Sequence, residues 1–145
     1  MHVIYSDPDV MRHVGYGPVR GMAESAQMLR AYADHERRHG FSFWAVVERA
    51  TGAVIGDAGL YTSGAGEIEL GYTLARDAWG KGYATEAARA CLDVAFGSLG
   101  ADEVIALADL PNAASHHVLE KLGFVRDGTR RAFGREHALF RLRRA

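Results

Sequence analysis

The stretch DAWGKGYATEAARA, Asp77–Ala90, decides how this chain reads. Gly80, Lys81 and Gly82 stand directly before a segment with a helical stripe of Ala84, Ala87, Ala88, Cys91, Leu92, Ala95 and Phe96. The first N–H groups of a helix beginning near Tyr83 have no partner within it, and with the helix dipole they form an anion site. Two glycines let a diphosphate come close to the backbone. Lys81 either adds a charge there or is an ordinary solvated lysine. A Walker loop is excluded, because Gly80-Lys81 is followed by Gly82 and Tyr83 where that motif needs Ser or Thr. A dinucleotide fingerprint lacks its third glycine, since Thr85 occupies that place. Asp109 would then have to be the ribose-binding acid, and too little chain follows it to complete a doubly wound sheet.

Outward from this loop, the chain alternates between helix and strand patterns. Pro8 after Ser6 and Asp7 predicts a short capped helix ending near Gly15, and 25–39 predicts a second helix stopped by Gly40. FSFWAVVE (Phe41–Glu48) and AVIGDAGLYT (Ala53–Thr62) read as a β-hairpin. EIELGYTL (Glu67–Leu74) alternates, with Ile68, Leu70 and Tyr72 on one face and Glu67 and Glu69 on the other. Gly71 inside it marks a bulge or a close backbone approach. EVIALA (Glu103–Ala108) and HALFRLR (His137–Arg143) read as strands. Asn112 caps a helix that runs to Gly123. The sum is one mixed α/β domain over 1–145.

Composition sets bounds. An apolar fraction of 48% in 145 residues supports a folded core, and a single cysteine, Cys91, excludes an intrachain disulfide. Cys91 lies on the apolar stripe and reads as a buried, inert thiol. No stretch has the apolar length of a membrane span, and the N-terminus lacks the pattern of a secretory signal, so a cytoplasmic protein is expected. Residues 121–145 carry 8 Lys/Arg against 2 Asp/Glu. That basic end is either a solvated face balancing an acidic body or an attractor of polyanions.

ELGYTLARDAWGKGYATEA together with NAASHHVLEKLGF resembles the GNAT superfamily of acetyl-CoA-dependent N-acetyltransferases, most closely the branch of the RimJ/RimL ribosomal-protein N-terminal acetyltransferases. Asp77 stands where the family's diphosphate loop usually has Gln or Arg. The resemblance implies a mostly antiparallel sheet splayed at the cofactor site and flanked by helices. It implies acetyl-CoA as co-substrate, an amine acceptor, and no metal, membrane or nucleic-acid partner. Cofactor contacts are implied for Tyr72, Thr73, Leu74, Trp79, Gly80, Lys81, Gly82, Tyr83, Ala84, Thr85, Asn112 and Ser115. Glu69 matches the glutamate proposed as base, and is otherwise a solvent-facing strand residue. Ser115 matches the serine proposed as acid, and is otherwise a polar residue of a first helical turn. Leu119 stands where many relatives place a tyrosine acid. A backbone N–H at Thr73 or Leu74 is the expected oxyanion donor.

Two further features need an account. The family's first strand has no counterpart ahead of the YSDPDVM segment. The Phe41–Glu48 edge is therefore expected to be covered by Met1–Tyr5 folded back or by a second subunit in a homodimer. HERRH (His35–His39) fits a zinc-protease pattern, yet Gly40 ends the helix at once and no third ligand is evident. A place in the polar wall of the acceptor pocket is the expected role for these histidines.

Overall fold

In the computed structural model, which describes residues 1–145, two single-turn helices, α1 (His2–Tyr5) and α2 (Pro8–Met11), precede α3 (Met22–His39). Strands β1 (Phe43–Val47), β2 (Val54–Thr62) and β3 (Ile68–Leu74) form an antiparallel meander. A 3-10 turn at Arg76–Ala78 leads into α4 (Tyr83–Phe96), β4 (Glu103–Asp109) and α5 (Ala113–Lys121), and the chain closes with the hairpin β5 (Val125–Ala132) and β6 (Arg135–Arg143). The sheet order is β1-β2-β3-β4-β6-β5, and only β3 and β4 are parallel. This is the mixed, mostly antiparallel sheet with flanking helices that the sequence implies.

Local signals explain most boundaries. The Asp7 carboxylate accepts the Asp9 N–H and Pro8 opens α2, which stops at Met11 rather than near Gly15. Gly40, at φ 82°, ends α3 in the left-handed region. On one face of the sheet, Ala58, Leu60 and Leu70 pack against Ala88, Cys91 and Ala95 of α4. Burial pushes the Cys91 thiol up to about 11, as an inert core cysteine requires. On the other face, Phe43 lies across β3. A Cβ at Gly71 would meet its ring at 2.8 Å, so this glycine marks a close approach and not a bulge.

The structure departs from the sequence expectation at several points. β5 was not foreseen: Arg126, Asp127, Arg130 and Arg131 give it no apolar alternation, and it is held by pairing with β6 and by ion pairs. Met1–Tyr5 does not cover the β1 edge. It forms α1, whose Ile4 and Tyr5 pack with Val10 and Met11. The edge is instead blunted by its five-residue length and a register shift at Val46/Val47. Finally, the buried histidine of HERRH, His35, joins elements of the fold. His35 is 4% exposed, its Nε2 accepts the Thr62 N–H at 2.9 Å, and its Nδ1 donates to the Phe41 carbonyl at 2.7 Å. Both ring nitrogens are thus committed to joining α3 to the β1–β2 hairpin.

α1 is tied to the sheet by Tyr5, whose hydroxyl donates to Asp57 in the middle of β2. Burial pushes the Asp57 carboxyl from 3.8 up to about 6, and the Tyr5 hydrogen bond offsets only part of that. A raised carboxyl favours the folded chain while it is protonated and withdraws that support as pH rises from about 4 to about 6. Asp57→Asn removes the charge and keeps a Tyr5 acceptor. Its stability relative to the parent chain is therefore expected to rise by about 2–3 kcal/mol between pH 4 and pH 7. Paired urea melts at the two pH values measure this. An unchanged difference would mean that Asp57 is already at its ordinary value in the folded chain.

Candidate active site

β3 and β4 meet at a single register pair, Glu69 with Ile105, and then part. Their outer sides remain fully paired, β3 with β2 and β4 with β6. The Ala75 N–H donates to the Ile55 carbonyl at 2.7 Å, which fixes the alternation along β3. Odd-numbered residues, Thr73 among them, turn their backbone groups toward β2, and even-numbered ones turn theirs toward the gap. Of the two oxyanion donors expected from the sequence, only the Leu74 N–H faces the gap, beside the N–H and C=O of Tyr72. The Leu74 carbonyl is already taken by the Trp79 indole N–H at 2.9 Å.

The glycine loop lies where β3 runs out. Gly80 and Gly82 sit at φ 73° and 80°, a conformation that side chains disfavour, and a Cβ at either would point into open space. Gly82 precedes α4 without any side-chain cap. The first α4 hydrogen bond is Glu86 N–H to the Gly82 carbonyl, so the N–H groups of Tyr83, Ala84 and Thr85 have no protein partner. These free donors, with the dipole of a 14-residue helix behind them, fit a diphosphate. Trp79 and Tyr83 hold the loop by their polar ends, Trp79 on Leu74 and the Tyr83 hydroxyl on Glu48 at 2.8 Å. Lys81 makes no ion pair, and Arg76 ties the preceding turn to Asp7 and Asp9 of the α2 region.

Asn112 accepts the Ser115 N–H at 3.3 Å and so is the helix cap it was expected to be. The Ser115 hydroxyl lies 2.9 Å from the Tyr72 hydroxyl, a bridge from α5 to β3. Burial raises the Tyr72 phenol, partly offset by this bond. Ser115 therefore does not stand alone, and Tyr72 was named only as a cofactor contact.

Glu67 and Glu69 share a face, as predicted, but not a state. Arg130 bonds both oxygens of Glu67, at 2.7 and 3.4 Å, and holds its carboxyl below the ordinary range. Glu69 has no hydrogen-bond partner in the chain. Burial raises it, Arg130 counters part of that rise, and the neighbouring Glu67 charge adds to it. A carboxylate made more basic in this way is suited to accepting a proton.

Sequence reasoning missed a second polar cluster. Asp109 accepts from His13 Nδ1 at 2.7 Å and from Arg135 Nε at 3.1 Å, so it is not a free ribose-binding acid. Burial raises its carboxyl, and the His13 and Arg135 contacts outweigh that and leave it lowered. Arg135 also donates to the Gly15 carbonyl at 2.8 Å, and Tyr16 meets Phe133 edge to face at 5.3 Å. The 12–21 loop is thereby fastened to the β5–β6 turn. Phe133 is the only non-glycine residue at positive φ, 52°, which no local sequence signal announces.

Comparison with known proteins agrees with this geometry. Residues 1–125 match the family described as the Acetyltransferase (GNAT) domain. The uncharacterized protein YkkB of Bacillus subtilis is 33% identical over 141 residues, 95% of this chain and 81% of that one. Two solved structures share the fold. An acetyltransferase from Agrobacterium tumefaciens has TM-score 0.84 and 24% identity, covering 99% of this chain and 82% of its own. A ribosomal-protein-S5-alanine acetyltransferase from Vibrio fischeri has TM-score 0.74 and 21% identity, covering 98% and 87%. A splayed β3–β4 pair, a bare helix N-terminus beyond it and a family match over most of the length have one joint meaning: the chain belongs to the GNAT acetyltransferases, which use acetyl-CoA as co-substrate.

Proposed function

We propose that this chain transfers the acetyl group of acetyl-CoA to a primary amine, on a small molecule or a protein N-terminus, as a RimJ/RimL-like N-acetyltransferase. The observation that carries the reading is the unpartnered, burial-raised Glu69 at the inner end of the β3–β4 gap. The likeness to the Vibrio fischeri S5-alanine acetyltransferase accords with the branch.

The diphosphate of acetyl-CoA sits on the free N–H groups of Tyr83–Thr85, with Gly80 and Gly82 allowing close approach and Lys81 adding charge. The thioester arm fills the gap and pairs with the backbone of Tyr72 and Leu74. An amine attacks only when neutral, so Glu69 takes its proton, directly or through water. The N–C bond forms as the carbonyl becomes a tetrahedral oxyanion, which a gap-facing backbone N–H stabilises. Collapse breaks the C–S bond; the departing thiolate takes a proton from the Ser115 hydroxyl, Tyr72 passes its own to Ser115, and the second proton of the newly bonded nitrogen goes through solvent to Tyr72. The acetylated amine and CoA thiol leave, and the proton on Glu69 returns to solvent. Most arginines of the basic C-terminal end are engaged within the chain, Arg130 and Arg141 on Glu67, Arg143 on Glu103, and Arg144 on backbone carbonyls. This favours the solvated face over a polyanion attractor.

Two measurements test the reading. Gly82→Val puts a β-branched side chain at φ 80° and over the diphosphate path. Calorimetric affinity for CoA is expected to fall at least tenfold, about 1.4 kcal/mol. Glu69→Gln is expected to lower kcat at neutral pH by about 10²-fold or more and to remove the acidic limb of the pH–rate profile, while CoA affinity stays near the parent value. Full kcat in Glu69→Gln would exclude Glu69 as the base.

A further inference from the structure

Asp57 is not used by the reaction just described, yet its surroundings are those of a binding site. It is 6% exposed. Its Oδ2 accepts the Tyr5 hydroxyl, and no other protein donor reaches either oxygen. Oδ1 has no protein partner and is not wholly sealed from solvent. Of the other shielded carboxylates of the sheet only Glu69, the proposed base, lacks a basic hydrogen-bond partner: Glu67 has Arg130, Glu103 has Arg141, and Asp109 has His13 and Arg135. Asp57 has none. A carboxylate offers about four acceptor positions, and a buried one is ordinarily paired with a cation.

The position of Asp57 relative to Glu69 follows from the register. Asp57 faces Thr73 across the β2–β3 ladder and Tyr61 faces Glu69, so both acids point from the same side of the sheet. They are separated by four residues along the ladder, about 13 Å. Between them the wall is aromatic. Tyr32 and Phe43 lie at 4.9 Å, Phe43 and Tyr61 stack at 5.8 Å, and Tyr32 and Tyr61 lie at 6.3 Å. All three rings are only half-buried. Half-open aromatic rings beside an unpaired carboxylate are the chemistry of a cation site. Burial also keeps the Asp57 carboxyl high, and an incoming positive charge is what would bring it back down.

We propose that Asp57 holds a second cationic group of the acceptor, remote from the amine that is acetylated. The acceptor class is then a diamine, or an amine bearing a further ammonium or guanidinium group. One end lies at Glu69, where proton removal makes the nitrogen nucleophilic. The other end stays charged at Asp57, with its connecting chain along Tyr61 and Phe43. The inference rests on the amine-acetylation reading for its kinetic test, but not for its binding test.

The experiment compares 1-aminohexane with α,ω-diaminoalkanes of four to eight carbons as acceptors, in the parent chain and in Asp57→Asn. The parent is expected to prefer the best diamine over the monoamine at least tenfold in kcat/KM, mainly through KM. Asp57→Asn is expected to abolish that preference. A preference that is absent in the parent, or unchanged in Asp57→Asn, overturns the proposal. In parallel, the same diamine is titrated calorimetrically into both proteins without acetyl-CoA. Binding to the parent that weakens at least tenfold in Asp57→Asn supports the site even if no amine is turned over, in which case the acetylation reading alone fails. Equal binding to both proteins, or none to either, overturns the site while leaving amine turnover to be judged separately.

Discussion

The parting of β3 and β4 beyond Glu69 and Ile105 is the constraint on which the rest of the molecule depends. Two strands that are fully paired on their outer sides expose inner backbone groups that have nothing to bond. Inside a protein such groups are costly unless a partner arrives. In the proposed reading that partner is an extended chain bearing its own amides, and acetyl-CoA carries one. The gap also decides where the other parts must sit. In that reading the anion site lies at the open end, where α4 begins after the 3-10 turn that follows Leu74. In the same reading the proton acceptor lies at the closed end, where the reactive tip of the arm stops. Glu69 occupies that place because it belongs to the last residue pair the two strands share.

Much of this was legible in the sequence, for identifiable reasons. Gly80, Gly82 and the absence of a capping side chain announce a bare helix N-terminus locally, since both the left-handed turns and the free N–H groups are properties of neighbouring residues. Asn112, Gly40 and the alternation of β3 are equally local. What stayed hidden depends on residues far apart in the chain. Nothing near Glu67 and Glu69 distinguishes them. Arg130, more than sixty residues later, pairs with one and leaves the other without a partner. β5 escaped notice because a strand stabilised by arginine–carboxylate pairs has no apolar period. Asp57 gives no sign in VIGDAGL that it will be buried, because Tyr5 and the rings over it arrive from α1, α3 and β1. HERRH misled in the opposite way: its spacing is right for a metal, but the backbone of the β1–β2 hairpin claims His35 first.

The two faces of the sheet differ in character, and the difference bears on how a reaction can be completed here. Below the sheet, small residues such as Ala58, Ala88, Ala95 and Ala106 let α4 and α5 approach closely, and the interior is sealed. Above it, α1 to α3 rest on aromatic rings and carboxylates that are only partly covered. Hydrogen-bonded strands present a continuous wall, so a ligand anchored at the N-terminus of α4 has one way to reach Glu69. It must pass between β3 and β4. The same passage separates the two proton transfers of the proposed mechanism. Glu69, above the sheet, faces the incoming amine. Tyr72 and Ser115, hydroxyl to hydroxyl below it, face the departing sulfur. A carboxylate on one side of the strand and two hydroxyls on the other give the proton that leaves the amine and the proton that reaches the sulfur separate routes, so neither transfer obstructs the other when the acetyl group lies between them.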